Sequence, residues 1–184
     1  MTQVINLLGG PGAGKSLTAS GIFYELKIIG VECELVSEFP KELTWEKNLD
    51  LLENQLFVFA EQFRRQYRLL DRVDYVITDS PLILSKVYME MFGERSGKFY
   101  SAFSENFYDK CLDFFDTTFQ EFNNLNFFID RPGNFDPVGR NETLEEAQQI
   151  DNLILNELEK YEYTRIPSQD AVRKIIKTLE IAQK

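Results

Sequence analysis

The sequence predicts an α/β fold in which a central parallel sheet is covered by helices. Short apolar runs alternate with longer stretches of helical period, which is the pattern of strands joined by crossover helices. The first apolar run leads directly into a glycine-rich segment and then a helix. The chain has 184 residues, 43% hydrophobic and 27% charged, so it is long and apolar enough for one ordinary globular core. We therefore expect a single domain over residues 1–184.

The first two strands and the helix between them follow from the N-terminal third. Residues 4–8 predict the first strand, and residues 13–29 predict a helix that Gly30 terminates. Residues 31–36 alternate with a period of two, which predicts a second strand. Glu38 follows that strand, and Pro40 prevents its simple continuation.

A long amphipathic segment and a third strand come next. One apolar stripe, with spacings of three and four, predicts one helix across residues 49–70. The stripe consists of Leu49, Leu52, Leu56, Phe59, Phe63, Tyr67 and Leu70. Residues 73–78 predict a third strand that ends at Asp79, and residues 82–92 predict another helix.

The C-terminal half completes five strands. Residues 99–122 predict a long helix whose aromatic face we expect in the core. That face consists of Tyr100, Phe103, Phe107, Cys111, Phe114 and Phe122. Residues 125–129 predict a fourth strand, and residues 131–141 an irregular loop rich in Gly and Pro. Thr143 and Glu146 form a capping box for the next helix, before a last strand at 163–166 and a helix at 169–181.

The net charge and the cysteine content indicate which binding partners and which cellular compartment to expect. The formal net charge of −10 disfavours a broad nucleic-acid interface, which needs clustered basic residues. Cys33 and Cys111 are far apart in the sequence, as expected for reduced thiols. No basic signal peptide or membrane-length apolar run is present. We expect a cytoplasmic protein without a nucleic-acid or membrane partner. The sequence does not determine the oligomeric state, and a homodimer is one of the states considered.

The segment from Gly9 to Ser16 carries the most specific signal, because it matches G-x-x-x-x-G-K-[ST] between a strand and a helix. Such a loop surrounds a phosphate with backbone N–H groups and directs a helix N-terminus at it. Lys15 is expected to contact the β- and γ-phosphates, and Ser16 to ligate Mg²⁺. The expected nucleotide-binding residues are Gly10, Gly12, Ala13, Gly14, Lys15, Ser16 and Leu17. The motif predicts binding of ATP with Mg²⁺ in a P-loop NTPase fold.

Other features favour phosphoryl transfer over signalling or motor activity. The D-x-x-G string at Asp130 to Gly133 has no N-K-x-D guanine signature after it, and ring-forming ATPases need an additional helical domain. Since the chain has no histidine, the general base is expected to be a carboxylate. Glu38 and Asp79 lie at strand ends beside the P-loop, so one is expected to accept a hydroxyl proton and the other to hold Mg²⁺ or its water.

Two further groups of residues are candidates for the site. Arg131 and Arg140 flank the loop at 131–141, which is predicted to be a lid that supplies positive charge to the transition state. Gln55, Gln62 and Gln66 lie beside Phe59 on the amphipathic segment. Amides next to an aromatic ring can bind a planar base, although such residues are also an ordinary polar margin of a helix.

Over nearly its whole length the chain resembles the nucleoside-kinase-like P-loop proteins, most closely the nicotinamide riboside kinase type of bacteria and phages. The resemblance depends on Gly9 to Ser16, on Glu38, on residues 76–81, on Arg131 to Arg140 and on the pattern at 166–179. It implies that Glu38 is the base for a ribose 5′-hydroxyl and that Gln55 binds the base. Deoxynucleoside kinases usually have Pro and Arg where this chain has Phe39 and Ser80.

Together these features predict a kinase with strand order 2-3-1-4-5 that passes the γ-phosphate of ATP to a nucleoside. The Gly-Gly-Pro-Gly-Ala-Gly-Lys string also looks like adenylate-kinase-type loops, so a nucleoside monophosphate is a second candidate acceptor. The expected acceptor-binding residues are Glu38, Gln55, Phe59 and Gln62. The alternative is a triphosphate-binding regulatory module that acts on a protein partner.

Overall fold

Five parallel strands form one sheet in the computed structural model, which describes residues 1–95, 105–133 and 142–179. The strand order is β2-β3-β1-β4-β5, which confirms the predicted order. The strands are β1 (Gln3–Leu8), β2 (Cys33–Val36), β3 (Tyr75–Thr78), β4 (Asn124–Asp130) and β5 (Thr164–Pro167).

Helices connect the strands and cover both faces of the sheet. They are α1 (Lys15–Ile28), α2 (Phe39–Trp45), α3 (Leu49–Glu53), α4 (Gln55–Tyr67), α5 (Ile83–Arg95), α6 (Glu105–Gln120), α7 (Leu144–Leu158) and α8 (Ala171–Thr178), the last preceded by a 3₁₀ turn at Ser168–Asp170. The predicted capping box starts α7, since Thr143 and Glu146 each bond the backbone of the other. Among the described residues no helix has the length and apolar character needed to cross a membrane.

The central strand β1 shows why the sheet is buried on both faces. Its neighbouring residues Leu7 and Leu8 are both fully buried but belong to different core clusters. Because side chains alternate along a strand, Leu7 packs with α1 and α8 while Leu8 packs with the helices of the other face. The parallel register, with Asn6 beside Thr78 and Asn126, brings the carboxyl ends of the strands to one edge.

The segment predicted as one helix over residues 49–70 is two helices, so that prediction is wrong. Asn48 caps α3 and Asn54 caps α4, where the Asn54 side chain accepts a 3.1 Å hydrogen bond from the Phe57 N–H. An asparagine oxygen competes with the helical hydrogen bonds and therefore favours a break followed by a new start. Helix α2 was also not predicted, and Pro40 lies in its first turn, where a missing N–H costs nothing.

The aromatic face predicted for α6 is only partly in the core. Phe107 and Phe114 are 46% and 57% exposed, whereas Phe115 and Phe119 are buried. Cys111, Phe115 and Phe119 recur every four residues and form the buried row, and Phe114 precedes that row by one position. Tyr100 and Phe103 lie outside the described residues.

Candidate functional site

The P-loop connects β1 to α1 and takes a shape that needs glycine. Gly12 and Gly14 have φ angles of 84° and 93°, in the left-handed region that other residues rarely adopt. Gly14 is the N-cap of α1, so the unpaired N–H groups of that helix open towards the loop. The buried Lys15 ammonium donates to the carbonyl oxygens of Gly9 at 2.7 Å and Gly10 at 3.1 Å. Loop and cation are therefore already arranged for a phosphate.

A cavity of about 270 Å³ adjoins this loop. The P-loop contributes Pro11, Gly12, Gly14, Lys15, Ser16 and the exposed Leu17 to its wall. The remaining polar wall consists of Glu38, Lys41, Thr44, Gln55, Ser80, Ser85, Tyr88 and Glu142. One cavity thus joins the predicted phosphate site to the predicted base Glu38.

Glu38 lies between β2 and α2, and the charges of Lys15 and Asp79 both act on its carboxyl group. Removal from water raises the pKa of Glu38 above its ordinary value of 4.5, and the Asp79 charge raises it further, while the Lys15 charge opposes the shift. Poor solvation disfavours the charged form of this cavity-lining group, so its carboxylate accepts a proton more readily than one in water. These properties suit a general base.

Asp79 follows β3 and is 5% exposed. Its Oδ1 atom has no hydrogen-bond partner among the described residues, which is costly for a buried carboxylate unless something else pairs with it. Mg²⁺ usually takes one or two protein oxygens and completes its shell with phosphates and water. Ser16 lines the cavity and Asp79 directly precedes the lining residue Ser80, so these two side chains are the candidates for that role. No group of three or more metal-binding side chains occurs in the described parts of the chain.

The glutamines of α4 differ in where they lie. Gln55 lines the cavity, as predicted for a substrate-binding residue, and its Nε2 donates to the Leu52 carbonyl at 2.8 Å. Gln62 is buried behind the wall, where its Oε1 accepts from the Phe39 N–H at 3.3 Å and its Nε2 lies 3.4 Å from Thr78 Oγ1. Gln62 therefore supports the turn that carries Glu38 and does not belong to the described lining.

Phe59 is also placed away from the described cavity wall. It is 3% exposed, and its ring stacks on Phe115 with centroids 4.3 Å apart. Gln66 lies one turn beyond Gln62 and points its Nε2 at the Ser80 carbonyl at 3.4 Å. Phe59 thus packs in the core and Gln62 bonds behind the cavity wall, so direct contact of either residue with an acceptor stays a prediction.

The structure describes only one of the two arginines of the predicted lid. Arg140 lies outside the described residues, as does most of the loop at 131–141. Arg131 follows β4 and is bonded to Asp151, to the Pro11 carbonyl and to the Ala147 carbonyl. Its guanidinium is thus engaged with the P-loop and α7, and a contact with the γ-phosphate stays a prediction.

Several cavity residues were not found from the sequence. Lys41, Ser85, Tyr88 and Glu142 come from three separate segments, with Ser85 and Tyr88 both in α5, and form no local motif. Burial raises the pKa of Tyr88 well above its ordinary value, and the charges of Glu142 and Glu38 add to the shift. Tyr88 therefore stays a neutral hydroxyl that can donate a hydrogen bond.

A scan of family models matches the chain to AAA_28, described as an AAA domain, over residues 4–174. The chain belongs to this AAA domain family. No curated protein matches the sequence significantly. The P-loop family predicted from Gly9 to Ser16 is thus confirmed, and the match extends far beyond that loop.

Two solved structures similar to this AAA domain chain are deoxyadenosine kinase from M. mycoides with bound dATP and with bound dCTP. The first has a TM-score of 0.62 at 13% identity and covers 97% of this chain and 100% of its own. The second has a TM-score of 0.62 at 12% identity and covers 96% and 98%. At such identities the likeness establishes a shared P-loop nucleoside-kinase-like fold.

Proposed function

We propose that this protein is an ATP-dependent kinase that transfers the γ-phosphate to a small molecule bound in the cavity beside the P-loop. The observation that carries the proposal is the continuity of that cavity from Lys15 and Ser16 to Glu38. The raised pKa of the Glu38 carboxyl group in that cavity also supports the proposal, because perturbed ionisable groups are common where protons are transferred. The fold shared with deoxyadenosine kinase supports the same proposal.

The residues divide the work of transfer as follows. Lys15 and the N-terminus of α1 stabilise the charge on the triphosphate. Ser16 and Asp79 would hold Mg²⁺, which would supply positive charge to the phosphates. Glu38 accepts the proton of the acceptor hydroxyl, and Arg131 and Arg140 are the two candidates for a lid cation.

The acceptor we propose is a nucleoside, of the nicotinamide riboside or deoxynucleoside type, with a nucleoside monophosphate as the second candidate. Gln55 and Tyr88 supply hydrogen-bonding groups in the cavity wall. Such groups can orient the planar ring and hydroxyls of a nucleoside.

A regulatory module that binds a protein partner is the second candidate function. The exposure of Phe107 and Phe114 on α6 favours it, since exposed aromatic side chains are common in protein interfaces. A cavity that reaches Glu38 favours the kinase, because phosphate binding and slow hydrolysis alone do not require room for an acceptor.

The test is a panel assay with Mg-ATP and nucleosides, nicotinamide riboside or nucleoside monophosphates, followed by mass spectrometry of the products. We expect ADP and one class of phosphorylated acceptor. Lys15→Ala should abolish product, whereas Lys27→Ala, an exposed lysine on the same helix, should not. ADP production that is independent of every acceptor would favour the regulatory module, and turnover by Lys15→Ala would contradict the proposed site.

A further inference from the structure

The P-loop is fastened to helix α7 through one carboxylate. Asp151 lies in α7, and its Oδ1 accepts a 2.6 Å hydrogen bond from the Gly10 N–H. Its other oxygen, Oδ2, accepts from Arg131 Nη2 at 2.7 Å and from Nε at 3.1 Å. A single side chain thus binds the loop backbone and the guanidinium at the same time.

Arg131 also connects the P-loop to α7. Its Nη1 donates to the Pro11 carbonyl, and its Nη2 also donates to the Ala147 carbonyl at 3.1 Å. The Asp151 and Arg131 side chains are only 16% and 10% exposed. Charge-assisted bonds at such sites are short and geometrically specific, because the planar guanidinium accepts few arrangements.

The consequence is a loop in which backbone groups of two successive residues are held by side chains of this chain. Gly10 offers a donor to Asp151, and Pro11 offers an acceptor to Arg131. A binding loop that is already ordered loses less conformational entropy when its ligand binds, so preorganisation strengthens affinity without any additional contact to the ligand.

We propose that Asp151 is a positioning residue for ATP, which acts through the Gly10 amide and Arg131 to hold the P-loop in its phosphate-binding shape. The proposal depends on the proposed function only in naming ATP as the ligand. It also gives Arg131 a role that needs no contact with the γ-phosphate. Asp151 lies in the middle of an amphipathic helix and belongs to no sequence motif.

Titration calorimetry with Mg-ATP and no acceptor tests this directly. Since hydrogen bonds to charged groups contribute about 1.5–3 kcal/mol, Asp151→Ala should weaken Mg-ATP binding by about 10- to 100-fold. Asp151→Asn should weaken it less, because the amide oxygen can still accept from the Gly10 N–H. Glu145→Gln, at an exposed acid in the first turn of the same helix, is the matched control and should bind like the wild type.

Steady-state kinetics separates positioning from simple structural support. The KM for ATP should rise in Asp151→Asn, while kcat at saturating ATP and the KM for the acceptor stay near wild type. Loss of active protein alone would lower kcat and leave the KM for ATP unchanged, which would overturn the proposal.

The double variant Arg131→Gln with Asp151→Asn distinguishes a positioning role of the Asp151–Arg131 pair from a catalytic role of Arg131. It removes both charges, so neither is left buried without its partner. We expect Mg-ATP affinity closer to wild type than in either single variant. A kcat that falls equally in Arg131→Gln and in the double variant would instead place Arg131 at the transferred phosphate and overturn the proposal.

Hydrogen exchange at the Gly10 amide, measured without nucleotide, keeps the proposal testable whatever the protein binds. Exchange should accelerate in Asp151→Ala and stay slow in Glu145→Gln. If the wild type fails to bind Mg-ATP, the proposed function fails while this measurement still decides whether Asp151 holds the loop. Unchanged exchange in a folded Asp151→Ala protein would overturn the proposal.

Discussion

Replacing Gly10 by alanine would put a methyl group where α7 already packs against the P-loop. The new Cβ would lie 2.6 Å from the Ala147 carbonyl oxygen, 2.9 Å from Asp151 Oδ1 and 3.0 Å from Arg131 Nη2. An ordinary contact begins near 3.4 Å, so loop and helix backbone must separate by about 0.8 Å. The Ala147 oxygen belongs to a helix and cannot swing aside like the end of a side chain.

Such overpacking costs about 1–3 kcal/mol of unfolding free energy. In a chain of this size each kcal/mol lowers Tm by about 2–4 °C. The same displacement moves the Gly10 amide, and an error of about 1 Å in a preorganised site can cost about 100-fold in rate. We therefore expect Gly10→Ala to lower Tm and to weaken Mg-ATP binding by at least about 10-fold.

Thermal unfolding and titration calorimetry on Gly10→Ala measure both effects. Gly133→Ala is the matched control, because no atom of the described residues lies within 4 Å of its new Cβ and its backbone is not in the left-handed region. A Gly10→Ala protein that matches Gly133→Ala in both Tm and Mg-ATP affinity would refute the close contact between the loop and α7.

Substitution of Glu38 is expected to affect catalysis, and substitution of Phe59 is expected to affect stability. Glu38→Gln should lower kcat by about 10²- to 10⁴-fold with Mg-ATP affinity retained, and loss of affinity instead would contradict its role as base. Since the pKa of Glu38 is raised above 4.5 in the folded protein, its ionisation opposes folding as the pH rises through that value, and below it both states are protonated. Glu38→Gln should therefore have a higher Tm than wild type at about pH 8 and no advantage at about pH 4, as thermal scans at both pH values can show. Phe59→Ala should lose about 3–5 kcal/mol of unfolding free energy in denaturant titrations, and the exposed Phe114→Ala much less; a stable Phe59→Ala with a raised acceptor KM would restore the predicted base-binding role.

The positions of the strands could be predicted from the sequence because each strand leaves a strong local signal, whereas no local signal contains their order in the sheet. Residues 4–8 lead into the P-loop, and residues 73–78 stop at Asp79 after an apolar run. Helix boundaries were less accessible, because the apolar stripe from Leu49 to Leu70 continues through the break at Asn54. The asparagine caps were the available signal, and a side-chain cap can override a continuous periodicity.

Site residues could be predicted from the sequence where a local motif or the end of a strand determined their position. Lys15, Ser16 and Glu38 line the cavity because the loop and the end of β2 place them there. Phe59 and Gln62 share a helix with Gln55, but only the helix packing decides which of them faces the cavity. Tyr88 and Asp151 lie on helices distant in sequence from the loop, so the place of Tyr88 in the cavity wall and the bond of Asp151 to Gly10 depend on tertiary structure alone.

The central claim is that Glu38 and the P-loop serve one transfer reaction in one cavity, and the fate of labelled phosphate tests it most directly. Wild-type protein and Glu38→Gln are incubated with γ-labelled Mg-ATP and the acceptor that the panel identifies. We predict that the wild type places the label in the organic product and that Glu38→Gln loses this transfer while it still binds Mg-ATP. Label that appears only as inorganic phosphate, at the same rate in both proteins, would contradict the account.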